Sequence, residues 1–75
     1  MARPLFKIAG EINRVWGAKV NYAARPYLDA MRTLDSIDDM YYMDTAKSIV
    51  AYFLANARSF RGEDAKRLKA ELKSL

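Results

Sequence analysis

The chain has 75 residues, 52% of them hydrophobic, no cysteine, no histidine and a formal net charge of +4. Such a length allows one small domain with a modest core, and the apolar content is too high for a disordered chain. The absence of cysteine excludes disulfide frameworks and thiolate metal sites; the absence of histidine removes the commonest general base and most nucleophilic dyads.

The charge is unevenly spread. Residues 1–32 carry six basic against two acidic side chains, residues 33–60 two against four, and residues 61–75 five against three. Basic ends therefore flank an acidic waist, a distribution that can steer a charged partner. Arg3, Lys7 and Glu11 interrupt the apolar residues near the N-terminus, so no signal-peptide core is expected. The longest nearly apolar run, Ile49 to Ala57, is far shorter than the roughly 20 residues that cross a bilayer. The expectation is a cytoplasmic protein without a membrane span.

Apolar residues recur at helical spacing throughout, and no stretch alternates as a strand would. The spacing predicts an all-α, compact single-domain, four-helix bundle-like fold with helices over about 4–16, 21–34, 44–60 and 63–75 and a short helical turn near 36–42. In the first helix Leu5, Ile8, Ile12 and Val15 form a stripe widened by Ala9 and Trp16, Pro4 suits the start, and Gly17 stops it. The second begins at Asn21 as N-cap and buries Ala24, Tyr27, Leu28, Met31 and Leu34. The third, capped by Asp44, carries the widest stripe (Ala46, Ile49, Val50, Phe53, Leu54, Ala57, Phe60), is expected to be central, and ends at Gly62. The fourth has Glu63 and Asp64 in its first turn and Lys73 in its last, which suits the helix dipole. Its seam of Ala65, Leu68, Leu72 and Leu75 is narrow, so it must dock on the third helix or on another chain. Trp16, Tyr22, Tyr27 and Tyr52 fall at core or core-edge positions.

The stretch LDSIDDMYYMD, Leu34 to Asp44, concentrates four aspartates and two tyrosines. Oxygen-seeking cations need alternating ligands, a turn glycine and a closing glutamate in the best-known loop, and this stretch lacks that pattern. Capping explains the carboxylates more simply: Asp35 or Ser36 with Asp39 as a capping-box variant, and Asp44 on the third helix. Asp38 and one of the pair Tyr41–Tyr42 are left without a structural task. Asp38, Asp39, Tyr41 and Tyr42, with Met43 in support, are therefore the candidates for a protein-contact surface. No metal ion, cofactor or catalytic residue is expected.

Nucleic acid is the alternative partner, through Arg14, Lys19, Arg25, Lys66, Arg67 and Lys69. Tyr22, Arg25 and Tyr27 interleave rings and cations as single-strand binders do. The join SFRG invites comparison with a helix-turn-helix, but Arg58 and Glu71 fall where that motif wants a small and an apolar residue. The seam Leu68, Leu72 and Leu75 could instead close a homodimer. Phe6 and Trp16 beside Lys7 and Arg14 could lie on an anionic membrane, but the stripe reads more simply as a core face.

Four stretches, LFKIAGEI, PYLDAM, DTAKSIVAYFLANA and FRGEDAKRLKAEL, make the chain similar to small hypothetical helical proteins encoded by bacterial phages and integrated mobile elements. These are packing and capping motifs, so the resemblance assigns no functional residue. What it implies is a setting, in which small proteins without catalytic groups act as adaptors or inhibitors of host machinery or as accessory nucleic-acid binders.

Overall fold

A computed structural model describes residues 3–75. Four α-helices appear in chain order: α1 (Leu5–Trp16), α2 (Arg25–Met31), α3 (Ala46–Ala55) and α4 (Glu63–Lys73). A 3-10 turn, Gly17–Lys19, follows α1. Between α2 and α3 stands a two-stranded antiparallel hairpin, β1 (Met40–Tyr41) and β2 (Asp44–Thr45). The fold is thus mostly helical, as the spacing predicts, with a small sheet that the spacing does not. Its extents of 29 × 28 × 18 Å are those of a flattened body of short helices. Among the described residues no helix is long and apolar enough to cross a membrane.

α1 packs against α2 on one side and α4 on the other, while α3 packs against α2. The centre of the assembly is therefore α1 with α2, rather than the third helix, and α4 docks on α1. Aromatic residues tie the end of α1 to α3 and to the segment that follows it. Trp16, at the end of α1, stacks on Phe60 (centroids 4.7 Å apart, planes 20° apart) and meets Phe53 of α3 edge-on at 6.1 Å. Both geometries suit the ring quadrupoles. Leu5, Ile8, Ala9 and Ile12 complete the buried face of α1, and Val15 turns outward.

The helix ends explain where prediction and structure part. Asn21 caps a single turn, its Oδ1 accepting the Ala24 N–H at 2.7 Å, and regular helix begins only at Arg25, beside Pro26. Tyr22, placed at the core edge by its position in a longer helix, is consequently 95% exposed. α2 stops at Met31, although Leu34 is still buried. Thr45 rather than Asp44 caps α3, its Oγ1 accepting the Ser48 N–H at 3.1 Å. α3 ends at Ala55 because Asn56 breaks it: its Nδ2 donates to the Tyr52 carbonyl, and its own carbonyl is taken by Asn21 Nδ2 at 2.7 Å. Ala57 and Phe60 lie beyond the helix yet remain in the core. Gly62 belongs to the start of α4, where φ 107° and ψ 179° put it in backbone space open almost only to glycine.

An ionic clamp fastens the N-terminal segment and α1 to α4. Arg3 donates two bonds to the Glu71 carboxylate, at 2.7 and 2.6 Å, and pairs with Glu11 at 2.8 Å. Arg67 closes the network from α4 onto Glu11 and Asp64. The Arg67 and Arg3 guanidiniums hold the Glu11 carboxyl at about 2, well below its ordinary 4.5. Arg3 likewise lowers Glu71. A carboxyl depressed on folding stabilises the fold above its unfolded pKa and loses that contribution as pH falls towards the folded value. Acid unfolding should therefore steepen between pH 4.5 and about 2. A Glu11→Gln variant should show a shallower acid limb when stability is measured by urea titration at each pH; an unchanged limb would remove Glu11 from the network's titration.

Candidate interaction surface

The segment Asp35–Asp39 is a turn held by its own side chains, not a helix. Asp39 Oδ2 accepts the backbone N–H groups of Asp35 (2.9 Å) and Ser36 (3.0 Å), and Ser36 Oγ accepts the Asp38 N–H at 3.1 Å. The bonds from Ser36 and Asp35 hold the Asp39 carboxyl below its ordinary value. Asp39, one of the five expected contact residues, thus has a structural task, as the capping reading anticipated. The turn is also pinned from outside, since the Leu5 N–H donates to the Asp35 carbonyl at 2.8 Å. Among the described residues no three carboxylates converge as a metal site would require.

From that turn the chain enters the hairpin, which stands where a helical turn near 36–42 was expected. Met40 pairs with Thr45 and Tyr41 with Asp44, leaving Tyr42 and Met43 as a two-residue loop. The Ala46 N–H donates to the Asp39 carbonyl at 2.8 Å and continues the ladder into the first turn of α3. Thr45 serves twice, as the last strand residue and as the helix cap. The hairpin is therefore fixed at both roots.

Its tip breaks the usual turn chemistry. Tyr42 has φ +55°, and among the described residues it is the only non-glycine with positive φ. Positive φ at the first loop position alone is the pattern of a type II′ turn, where glycine is the standard residue. A β-carbon there costs on the order of 1–3 kcal/mol. Tyr41 packs against the core and Tyr42 meets it edge-on, centroids 4.7 Å apart and planes at 81°. Of the tyrosine pair one faces in and the other out, as expected, but strand pleat and turn geometry set this rather than helical periodicity. Tyr42 is 87% and Met43 93% exposed, and Met40 beside them is more than half exposed. Asp38 and Asp44 are exposed on the same segment, and neither has a cation within 4.0 Å among the described residues. Four of the expected contact residues, Asp38, Tyr41, Tyr42 and Met43, thus share one protrusion; Met40 belongs with them and had no sequence signal beyond being a methionine next to the pair.

The six basic candidates do not form one surface. Arg25 is half-buried and engaged with Asn13 Oδ1 (2.9 Å) and Asp29 (3.3 Å). Arg67 belongs to the clamp, and Arg14 lies 4.0 Å from Glu11. Lys19 and Lys66 are exposed, and Lys69 is half-buried with its Nζ on the Phe60 carbonyl at 2.7 Å. Seven residues, 56–62, separate α3 from α4, too many for the three- or four-residue turn of a helix-turn-helix. Leu68 and Leu72, expected as a dimer seam, are buried within the chain itself, and Leu75 is half-buried against the same core. No family model matches the chain, and no match was found to a curated protein or to a solved structure.

Proposed function

We propose that the chain is a non-enzymatic protein-binding module that presents its hairpin tip, Tyr42 and Met43 with Met40 at the side, to a protein partner as an adaptor or inhibitor. The observation that carries this reading is Tyr42 itself: a large ring held at positive φ, almost fully in water, at a position where glycine would be more stable. Strain of this kind persists only where something else retains it, and a partner's pocket is the simplest agent. The rings and thioethers would supply buried area, and Asp38 and Asp44 would set charge complementarity at the rim. The resemblance to phage and mobile-element proteins makes bacterial host machinery the first set of partners to try.

The reading makes fold and function respond in opposite directions. Tyr42→Gly should raise stability by about 1 kcal/mol or more, by relieving the backbone, while abolishing partner capture. The test immobilises wild type, Tyr42→Gly and Met43→Ser and passes nuclease-treated bacterial lysate over each. Capture by wild type that both variants lose, with folding intact by circular dichroism, supports the proposal. Equal capture by all three would end it.

A further inference from the structure

Away from the hairpin, one face gathers cations that are paired with no carboxylate among the described residues. Lys66, Lys69 and Lys73 stand at steps of three and four on α4, so they share one row of the helix. Lys69 Nζ reaches the Phe60 carbonyl at 2.7 Å and lies 5.7 Å from the centre of that ring, which places the row against residue Arg61. Arg61 and Lys19 in turn line one shallow depression with Val15, Trp16, Ser59 and Phe60. None of these five cations has a carboxylate within 4.0 Å among the described residues. Arg67 on the same helix differs, being consumed by Glu11 and Asp64. Glu63, one turn before Lys66, is the acidic group nearest along the row. Burial, then the like charges of Lys73 and Arg61, lower the pKa of Lys69, as expected where cations are crowded without counter-charges.

From this arrangement we infer that Lys19, Arg61, Lys66, Lys69 and Lys73 form a binding face for the phosphate backbone of nucleic acid. The inference is independent of the hairpin reading and concerns a different set of residues. Trp16 and Phe60 are buried, so they offer no ring face for a base to stack on. Contact is accordingly with phosphates, without base preference, and its strength must come from counterion release.

Fluorescence anisotropy with labelled single-stranded and duplex DNA of about 20 units, longer than one small domain covers, tests this on the whole chain. Binding should fall linearly with log salt, with a slope of about −3.5 on single strands or about −4.5 on duplex if all five cations engage. Whichever form binds more tightly identifies the source of the phosphates. The triple variant Lys19→Glu, Arg61→Glu, Lys73→Glu should weaken binding at least about tenfold more than a charge-matched control, Lys7→Glu, Arg32→Glu, Lys47→Glu, and should flatten the slope. Lys69 is left untouched because its ammonium holds the Phe60 carbonyl. Equal loss in the two triple variants would reduce the effect to net charge and overturn the inference, as would a salt-independent signal or no binding at 50 mM salt, roughly the low end of the range over which such contacts are measured.

Discussion

Phe53→Ala should bring the domain close to unfolding. Phe53 is 0% exposed and carries the edge-on contact with Trp16 that joins α3 to the end of α1. Truncating a buried phenylalanine costs about 3–5 kcal/mol, the lost transfer energy plus the cavity left behind. A chain of 75 residues has a total stability of about 4–11 kcal/mol at the usual values per residue. The melting midpoint should fall by roughly 12–40 °C. Its neighbour provides the control. Tyr52 is half exposed and stacks on Tyr27 at 5.5 Å, so Tyr52→Ala should cost only about 1 kcal/mol. The two variants share a helix and nearly the same propensity change, so the difference between them measures burial. Similar losses in thermal or urea unfolding would mean that Phe53 is not the joint described.

The second large effect is a change of sign among three identical substitutions. An added β-carbon would meet nothing within 4 Å at Gly10, Gly17 or Gly62, so space is not the issue at any of them. Backbone geometry is. Gly62 (φ 107°, ψ 179°) and Gly17 (φ 58°, ψ −131°) occupy regions that side chains rarely enter, and alanine at either should cost about 1–3 kcal/mol. Gly10 sits in the middle of α1 with ordinary helical geometry, where alanine should stabilise by about 0.4–1 kcal/mol. Chemical denaturation of the three variants gives the signs directly. A loss at Gly10 or a gain at Gly62 would contradict the backbone conformations on which the helix ends depend.

Helical periodicity made most of this fold legible. Leu5, Ile8, Ile12 and Trp16, then Leu28 and Met31, then Ile49, Val50 and Phe53 are core residues in the sequence pattern and in the structure alike. Those are strong, repeated signals that depend on neighbours a few positions away. The hairpin gave no such signal. Its strands are two residues each, too short to alternate, and its loop has a tyrosine where the turn normally announces itself with glycine. The start of α2 and the end of α3 have a related cause: Asn21 and Asn56 stand at them, and the two are held together by a bond across 35 positions, Asn21 Nδ2 to the Asn56 carbonyl. The Arg3–Glu71 pair spans 68 positions and lies outside any local pattern. Partial legibility of the contact surface follows the same logic. Asp38 and one of the pair Tyr41–Tyr42 emerged because capping and packing left them without employment, though not which tyrosine, whereas Arg61 could be grouped with Lys19 only after the chain had folded Phe60 between α1 and α4.

The dependence of α1 on distant residues also has a consequence during synthesis. Trp16 is made some 44 positions before Phe60 covers it, and the α4 residues that pack on α1 come later still. At about 5–20 residues per second, Trp16 is made roughly 2–9 s before the ring that stacks on it. For that interval α1 has only α2 to pack on, and the side of it that Phe60 and α4 will cover, Trp16 included, stays open to chaperones and to other nascent chains.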